Sequence, residues 1–355
     1  MLKERKEFIS IDHRASCGFY LGAIITTLIC QMLAAMVSVG LMKKIPDIAQ
    51  NGDFNGAFMM FVQLVNGAFV AGYCFINKRK LNFSYFKNTA TEKNIGVADI
   101  VVPLIAAPLL LVTMYLPTVW YGFLVQAMGI PPEAGALYTD TASAVVMIVI
   151  ASVFLAPVCE ETIYRGVLFH GIKSEKSTVY AVFISALAFM LMHMNPLQIV
   201  FQFALGVLSA FIALRSGKLL PSILLHAVSN ALALVIDMTP LGTAIGAGVE
   251  WLTANIAAAF FITLGLFVAG GAALFFIVDI AFGRRRRKDD VAREAQAEKP
   301  GGELPQDMTD SEKAAAELAE RAAACKRRDG FVRLCVGLGI CVIMLIFNAV
   351  SLILS

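Results

Sequence analysis

Long apolar runs that do not alternate limit this chain more than any other feature. A helix crossing the hydrocarbon core of a bilayer needs about 20 mostly apolar residues. On that rule the sequence holds about nine spans, at 19–42, 57–76, 99–129, 143–164, 179–194, 197–214, 220–237, 251–282 and 331–354. A backbone in lipid has no water to bond to, so a spanning segment must be a helix or a strand of a closed barrel. Runs without period-two alternation favour helices. The predicted fold class is therefore all-α, a polytopic membrane helix bundle. With 58% hydrophobic and only 15% charged residues, an ordinary soluble domain is excluded. The first run is too long for a signal-peptide core and reads as a retained span. Pro103, Pro108 and Pro117 predict a kinked or partly interfacial third span. The eighth is long enough to need tilt or a projection beyond the bilayer.

Charge placement orients the bundle. The basic residues concentrate in "MLKERKEF", "NKRKLNFSYFKN", "RGVLFHGIKSEKS", "RSGK" and "GRRRRK", which fall at the N-terminus and alternate loops. The loop "IPPEAGALYTDT" has no Lys or Arg, and Lys43 and Lys44 are the mild exception. The positive-inside rule then places the N-terminus in the cytoplasm and, after nine spans, the C-terminus outside. Residues 284–330 are polar and charged and read as a cytoplasmic linker, with "SEKAAAELAERAAACKRR" rich in helix formers. The arginine run reads as a stop-transfer cluster at the membrane face; no nucleic-acid partner is expected. The seven cysteines show no C-x-x-C spacing, so neither a disulfide framework nor a cysteine zinc site is implied.

Ionisable residues within spans are rare and usually functional. Here they gather between 159 and 230: Glu160, Glu161, Arg165, His193 and His226, joined by the amide of Asn230. Successive helical residues project about 100° apart, so the two glutamates cannot address one point. Glu161 and Arg165 stand at i,i+4 in the favourable order for an ion pair. Glu160 is left on another face without a local partner. A solvated headgroup cluster is the alternative for these three. A helix-end residue is the alternative for His193, and a local hydrogen-bonded pair for His226 and Asn230. Chain distances join the groups. Glu160 lies thirteen residues before the basic turn at 173–178 and His193 fifteen after it, so antiparallel helices bring them to one depth. His226 lies eight residues past "RSGK" and reaches the same level if the segment 165–172 projects below the membrane. Three helices can thus converge on one pocket in the cytoplasmic half of the bilayer.

A carboxylate, two imidazoles and an amide are parts for hydrolysis. A glutamate can act as general base for water, imidazole can orient that water or hold a metal, and an amide can donate to an oxyanion. Glu with two His is also a zinc set. There is no H-E-x-x-H and no G-x-S-x-G. Cys159 reads as a buried, inert cysteine. A non-catalytic membrane scaffold or immunity protein, or a proton-coupled transporter, are the rival classes. No internal repeat of the kind common in transporters is seen.

These residues resemble the CAAX prenyl endopeptidase and bacteriocin-processing (CPBP, Abi) family of intramembrane proteases. The family's EExxxR, FxxxH and HxxxN read here as Glu160-Glu161-x3-Arg165, Phe189-x3-His193 and His226-x3-Asn230. The resemblance covers about 143–237, and "YRG" and "HMNP" belong to it. It implies a catalytic core at 143–237. Outside it the chain divides into N-terminal spans (1–142), a long membrane helix (238–283), the charged linker (284–330) and a last span (331–355), and the linker and last span look like an addition to which the resemblance gives no role. By that likeness Glu160 activates water, His193 assists, and His226 and Asn230 stabilise the oxyanion. Arg165 pairs with Glu161 or positions substrate. A metalloprotease-type site would hold Zn2+ through Glu160, His193 and His226; a metal-free glutamate mechanism is the other form the resemblance allows. The implied substrate is a membrane-associated peptide or lipidated protein, and the implied location is a bacterial plasma membrane.

Overall fold

The computed structural model describes residues 13–45, 47–76, 95–130, 139–173, 175–294 and 310–354. The described residues form helices and connecting turns, with no strand among them. The helices, in chain order, are α1 (His13–Met42), α2 (Gly52–Ile76), α3 (Val97–Ala127), α4 (Ala142–Lys173) and α5 (Thr178–Met192). They continue as α6 (Ile199–Ser216), α7 (Leu220–Met238), α8 (Pro240–Ala254), α9 (Ile256–Glu294) and α10 (Asp310–Leu354). Eight of the described helices are long and apolar enough to cross a membrane, and α5, at 15 residues, is a shorter apolar helix. The chain is an integral membrane protein built as an all-α polytopic bundle. The span expected at 251–282 starts at Ile256, because α8 ends at Ala254 and is a separate helix. The three prolines of the third span lie inside one continuous helix.

Helix α4 is the hub. It packs against α1, α2, α5, α6 and α7. Thr141 caps its start: the hydroxyl accepts the Ala144 N–H at 3.0 Å. Ser177 does the same for α5 through the Tyr180 N–H at 3.2 Å. Helices α5 and α6 approach closely because Gly206 has no side chain; a Cβ there would lie 2.9 Å from the Ala186 Cα. Large apolar side chains such as Phe261 and Ile343 point outward, as lipid-facing residues do.

Two stretches of α4 are π-helical, Ile150–Leu155 and Thr162–Phe169, with an α-helical turn, Ala156–Glu161, between them. Pro157 explains much of the first. The Ala156 N–H bonds to the Ala151 carbonyl, five residues back. In that register the Ser152 carbonyl should receive an N–H from residue 157, and proline has none. Asn230 of α7 supplies the donor instead, with Nδ2 at 2.7 Å from the Ser152 oxygen.

One basic turn is tied into the bundle. Lys218 of "RSGK" is buried and pairs with buried Asp99 at the start of α3. The linker read at 284–330 is helical at both ends, as the ends of α9 and α10; residues 295–309 lie outside the described residues. Removing one partner of a buried pair leaves an uncompensated charge, which costs about 3–5 kcal/mol. Lys218→Met should therefore lower the thermal unfolding midpoint of the purified protein sharply. Lys218→Met with Asp99→Leu should recover most of that loss.

Candidate active site

Glu161 and Arg165 form the ion pair that their spacing predicts, with Nη1 2.8 Å from Oε1 and both side chains fully buried. In the low dielectric of the interior such a pair needs further partners for its polar atoms; Arg165 Nε is the one polar atom of the pair without a hydrogen-bond partner. Arg165 Nη2 donates to the Gly206 carbonyl at 3.1 Å. Its guanidinium lies 4.3 Å from the centroid of the Phe189 ring, a cation–π contact. On the other side, the Ser222 hydroxyl donates to Glu161 Oε2 at 2.7 Å and His226 Nδ1 lies 3.1 Å from Oε1. The pair thus joins α4, α5, α6 and α7.

Glu160, one residue earlier, faces a different set. Its Oε1 accepts from Gln63 Nε2 of α2 at 3.2 Å. Its Oε2 is buried and has no hydrogen-bond partner. Two imidazoles look at that oxygen: His193 Nε2 at 4.0 Å and His226 Nε2 at 3.9 Å. The far nitrogen of each ring is engaged. His193 Nδ1 is 2.9 Å from the Phe189 carbonyl, and His226 Nδ1 faces Glu161. Carbonyls and carboxylates only accept, so both Nδ1 atoms carry hydrogen. In the neutral rings the Nε2 lone pairs therefore face Glu160.

His193 stands just beyond α5, in a turn that restricts it. Met194 has φ 50°, a left-handed conformation that costs a residue with a side chain about 1–2 kcal/mol. Asn195 Oδ1 accepts the Leu197 N–H at 2.9 Å and starts the next turn at Pro196. Phe189 is the common floor, with ring centroids 4.8 Å from His193 and 5.4 Å from His226.

Five of the six residues singled out from sequence thus adjoin one another. Asn230, the sixth, spends one amide hydrogen on Ser152. Sequence reasoning missed Gln63 and Ser222. Both left a signal: Ser222 is four residues before His226, on its face of α7, and Gln63 is a polar residue inside an apolar span. No group of three metal-ligating side chains in binding geometry occurs among the described residues. Zinc bonds of 2.0–2.1 Å in a tetrahedron put neighbouring donors roughly 3.3 Å apart. The separations of 3.9 and 4.0 Å are wider than that edge, so the set as it stands does not fit a tetrahedral zinc.

The fold and site define a polytopic membrane protein with a buried carboxylate–imidazole cluster. Residues 142–232 match the family model described as type II CAAX prenyl endopeptidase, Rce1-like. The resemblance read from the three motifs is thereby borne out over that segment. A Bacillus subtilis (strain 168) protein named "Putative membrane peptidase YdiL" is 24% identical over 119 residues, which are 34% of this chain and 49% of that protein. The match spans about half the length of that curated relative. No solved structure matches the chain.

The two glutamates differ in what they hold, so their variants should part. Glu161→Ala strands the Arg165 charge in the interior and should cost about 3–5 kcal/mol of stability, seen as poor accumulation or a much lower unfolding midpoint. Glu160→Gln should change the unfolding free energy by less than about 1 kcal/mol, since Oε2 has no partner to lose.

Proposed function

We propose that this protein is an intramembrane endopeptidase that hydrolyses a peptide bond of a membrane-associated peptide or lipidated protein. The observation that carries the reading is the unpartnered, buried Oε2 of Glu160, faced by two imidazole Nε2 atoms. A buried acceptor without a donor is costly, and a water seated among these three atoms would supply one. The Rce1-like match over the same helices supports a peptidase.

The chemistry follows from the proton count. A water has two hydrogens to give, and three acceptors face it. One further proton, on His226 Nε2, completes the set. It also brings the buried group of Glu160, Glu161, Arg165 and His226 to zero net charge, with Glu161 directly against the imidazolium. Water then donates to Glu160 Oε2 and His193 Nε2. Glu160 takes the proton as the water oxygen attacks the scissile carbonyl, and His226 Nε2–H faces the developing oxyanion. The second amide hydrogen of Asn230 is a further oxyanion donor. Collapse of the tetrahedral species breaks the C–N bond, and the proton held by Glu160 passes to the departing nitrogen. Arg165 acts through Glu161 as a positioning residue, and Gln63 fixes the free oxygen of Glu160. In the membrane, the start of α3 and the α6–α7 turn share one end through Asp99 and Lys218, in keeping with one common, cytoplasmic face for both.

The test compares the termini of membrane peptides in cells carrying wild type, Glu160→Gln or His193→Ala. Termini present only with wild type are expected, and their cleavage should fall by about 10²–10⁴ in either variant. Identical peptides from all three, at equal protein levels, would sink the proposal. Cleavage by the purified enzyme should survive a chelator; loss on chelation with recovery on zinc addition would replace the free water by a metal-bound one. Gln63→Leu should lower kcat about tenfold at unchanged KM, the loss of one hydrogen bond to a charged group.

A further inference from the structure

Helix α10 lies outside the matched segment, yet it reaches the site. Asn348 Nδ2 donates to the carbonyl of Met194, the residue after His193, at 2.8 Å. Asn348 is a polar residue in the apolar run "VIMLIFNAVSLIL", where an amide without a partner is expensive. Met194 is buried and is the one non-glycine residue with positive φ among the described residues. Its carbonyl follows the last turn of α5, where helical acceptors lack donors from their own helix. The other groups of this turn are held locally: the N–H groups of His193 and Met194 bond to Met190 and Leu191 at 3.2 and 3.1 Å. For the carbonyl, the donor shown comes from α10.

The helix is also set in register before it arrives. Arg14 of α1 pairs with Asp329. Further along, Gly337 lets the backbone of α10 sit against Tyr20, where a Cβ would lie 2.6 Å from the ring. Tyr20 then meets Cys341, with O and Sγ 3.8 Å apart, and meets the Tyr164 ring edge-on at 6.0 Å. Tyr164 packs on Phe189 at 5.4 Å, and its hydroxyl donates to Met192 Sδ at 2.8 Å. One chain of contacts therefore runs from α10 through α1 and α4 to the floor beneath His193, and a second runs directly from Asn348 to Met194.

We propose that α10 is a positioning element of the active site, with Asn348 holding Met194 in its left-handed turn and thereby fixing His193 Nε2 toward Glu160. The proposal rests on the hydrolase reading for its kinetic consequence, but not for its structural one. The structural arm needs no substrate. In the full-length protein in nanodiscs, Asn348→Leu should speed amide hydrogen exchange across residues 192–198 by about fivefold or more, as the loss of one hydrogen bond does, with α6 and α7 unchanged. Asn348→Ser, smaller and still polar, serves if the leucine variant does not accumulate. The kinetic arm uses a peptide whose cleavage depends on Glu160. Asn348→Leu should lower kcat about fivefold to tenfold with KM within about twofold. Glycine adopts the left-handed turn without strain, so in a Met194→Gly background the same change should cost less than about twofold. Unchanged exchange at 192–198 would overturn the proposal, as would an equal kcat loss in both backgrounds. Activity that survives Glu160→Gln would overturn the hydrolase reading and leave the exchange result standing.

Discussion

The buried ion pair between Glu161 and Arg165 is the interaction on which the rest of the site depends. Two charges inside a membrane protein persist when most of their remaining polar atoms find partners close by, as all but Arg165 Nε do here. Meeting that demand recruits a carbonyl from α6, an aromatic face from α5, and a hydroxyl and an imidazole from α7. The pair thus fixes the relative places of four helices through directional contacts, which apolar packing alone does not specify. It also releases Glu160. Arg165 and the donors of α7 are engaged by Glu161, so the neighbouring carboxylate keeps one oxygen with no donor at all.

The direction in which Glu160 points is set by the backbone of α4. An ideal helix advances about 100° per residue, and a π-helical stretch advances less, so two such stretches change which face each side chain occupies. The six-residue α-helical turn that carries both glutamates lies between them. The first stretch leaves the Ser152 carbonyl without its backbone donor because residue 157 is proline, and Asn230 fills that place. The second is closed by His170, whose Nδ1 lies 2.6 Å from the Arg165 carbonyl. Asn230 therefore stabilises the irregular helix that presents Glu160.

Much of this was legible in the sequence. The apolar runs gave the spans because lipid imposes a length and a backbone rule that leave few choices. The spacing of Glu161 and Arg165 gave their pairing, and similar distances from a charged turn brought Glu160 and His193 together. What stayed hidden depends on hydrogen-bond register and on contacts between distant helices. A π-helical turn has no composition of its own, and only Pro157 hinted at one. Lys218 reads as a loop cation because nothing local shows Asp99, 119 residues away, beside it. Gln63 and Asn348 are polar residues in apolar runs, and no short motif contains either.

Those two residues bear on where the candidate site ends. The matched segment, 142–232, supplies the carboxylates, the imidazoles and the guanidinium. It does not complete their surroundings. Gln63 of α2 engages one oxygen of Glu160, and Asn348 of α10 engages the carbonyl next to His193. Both act on the two groups that face the reacting water in the proposed mechanism. Neither touches the Glu161–Arg165 pair, whose hydrogen bonds come from within the segment. A division follows from that arrangement. The segment carries the costly charges and must neutralise them itself, since an unpaired buried charge would prevent folding. The flanking helices contribute neutral donors at about 1 kcal/mol each, small enough for a fold to lose or exchange and large enough to alter a rate severalfold. Helices added around such a core can therefore adjust how firmly its base and its imidazole are aimed without disturbing the charges beneath them.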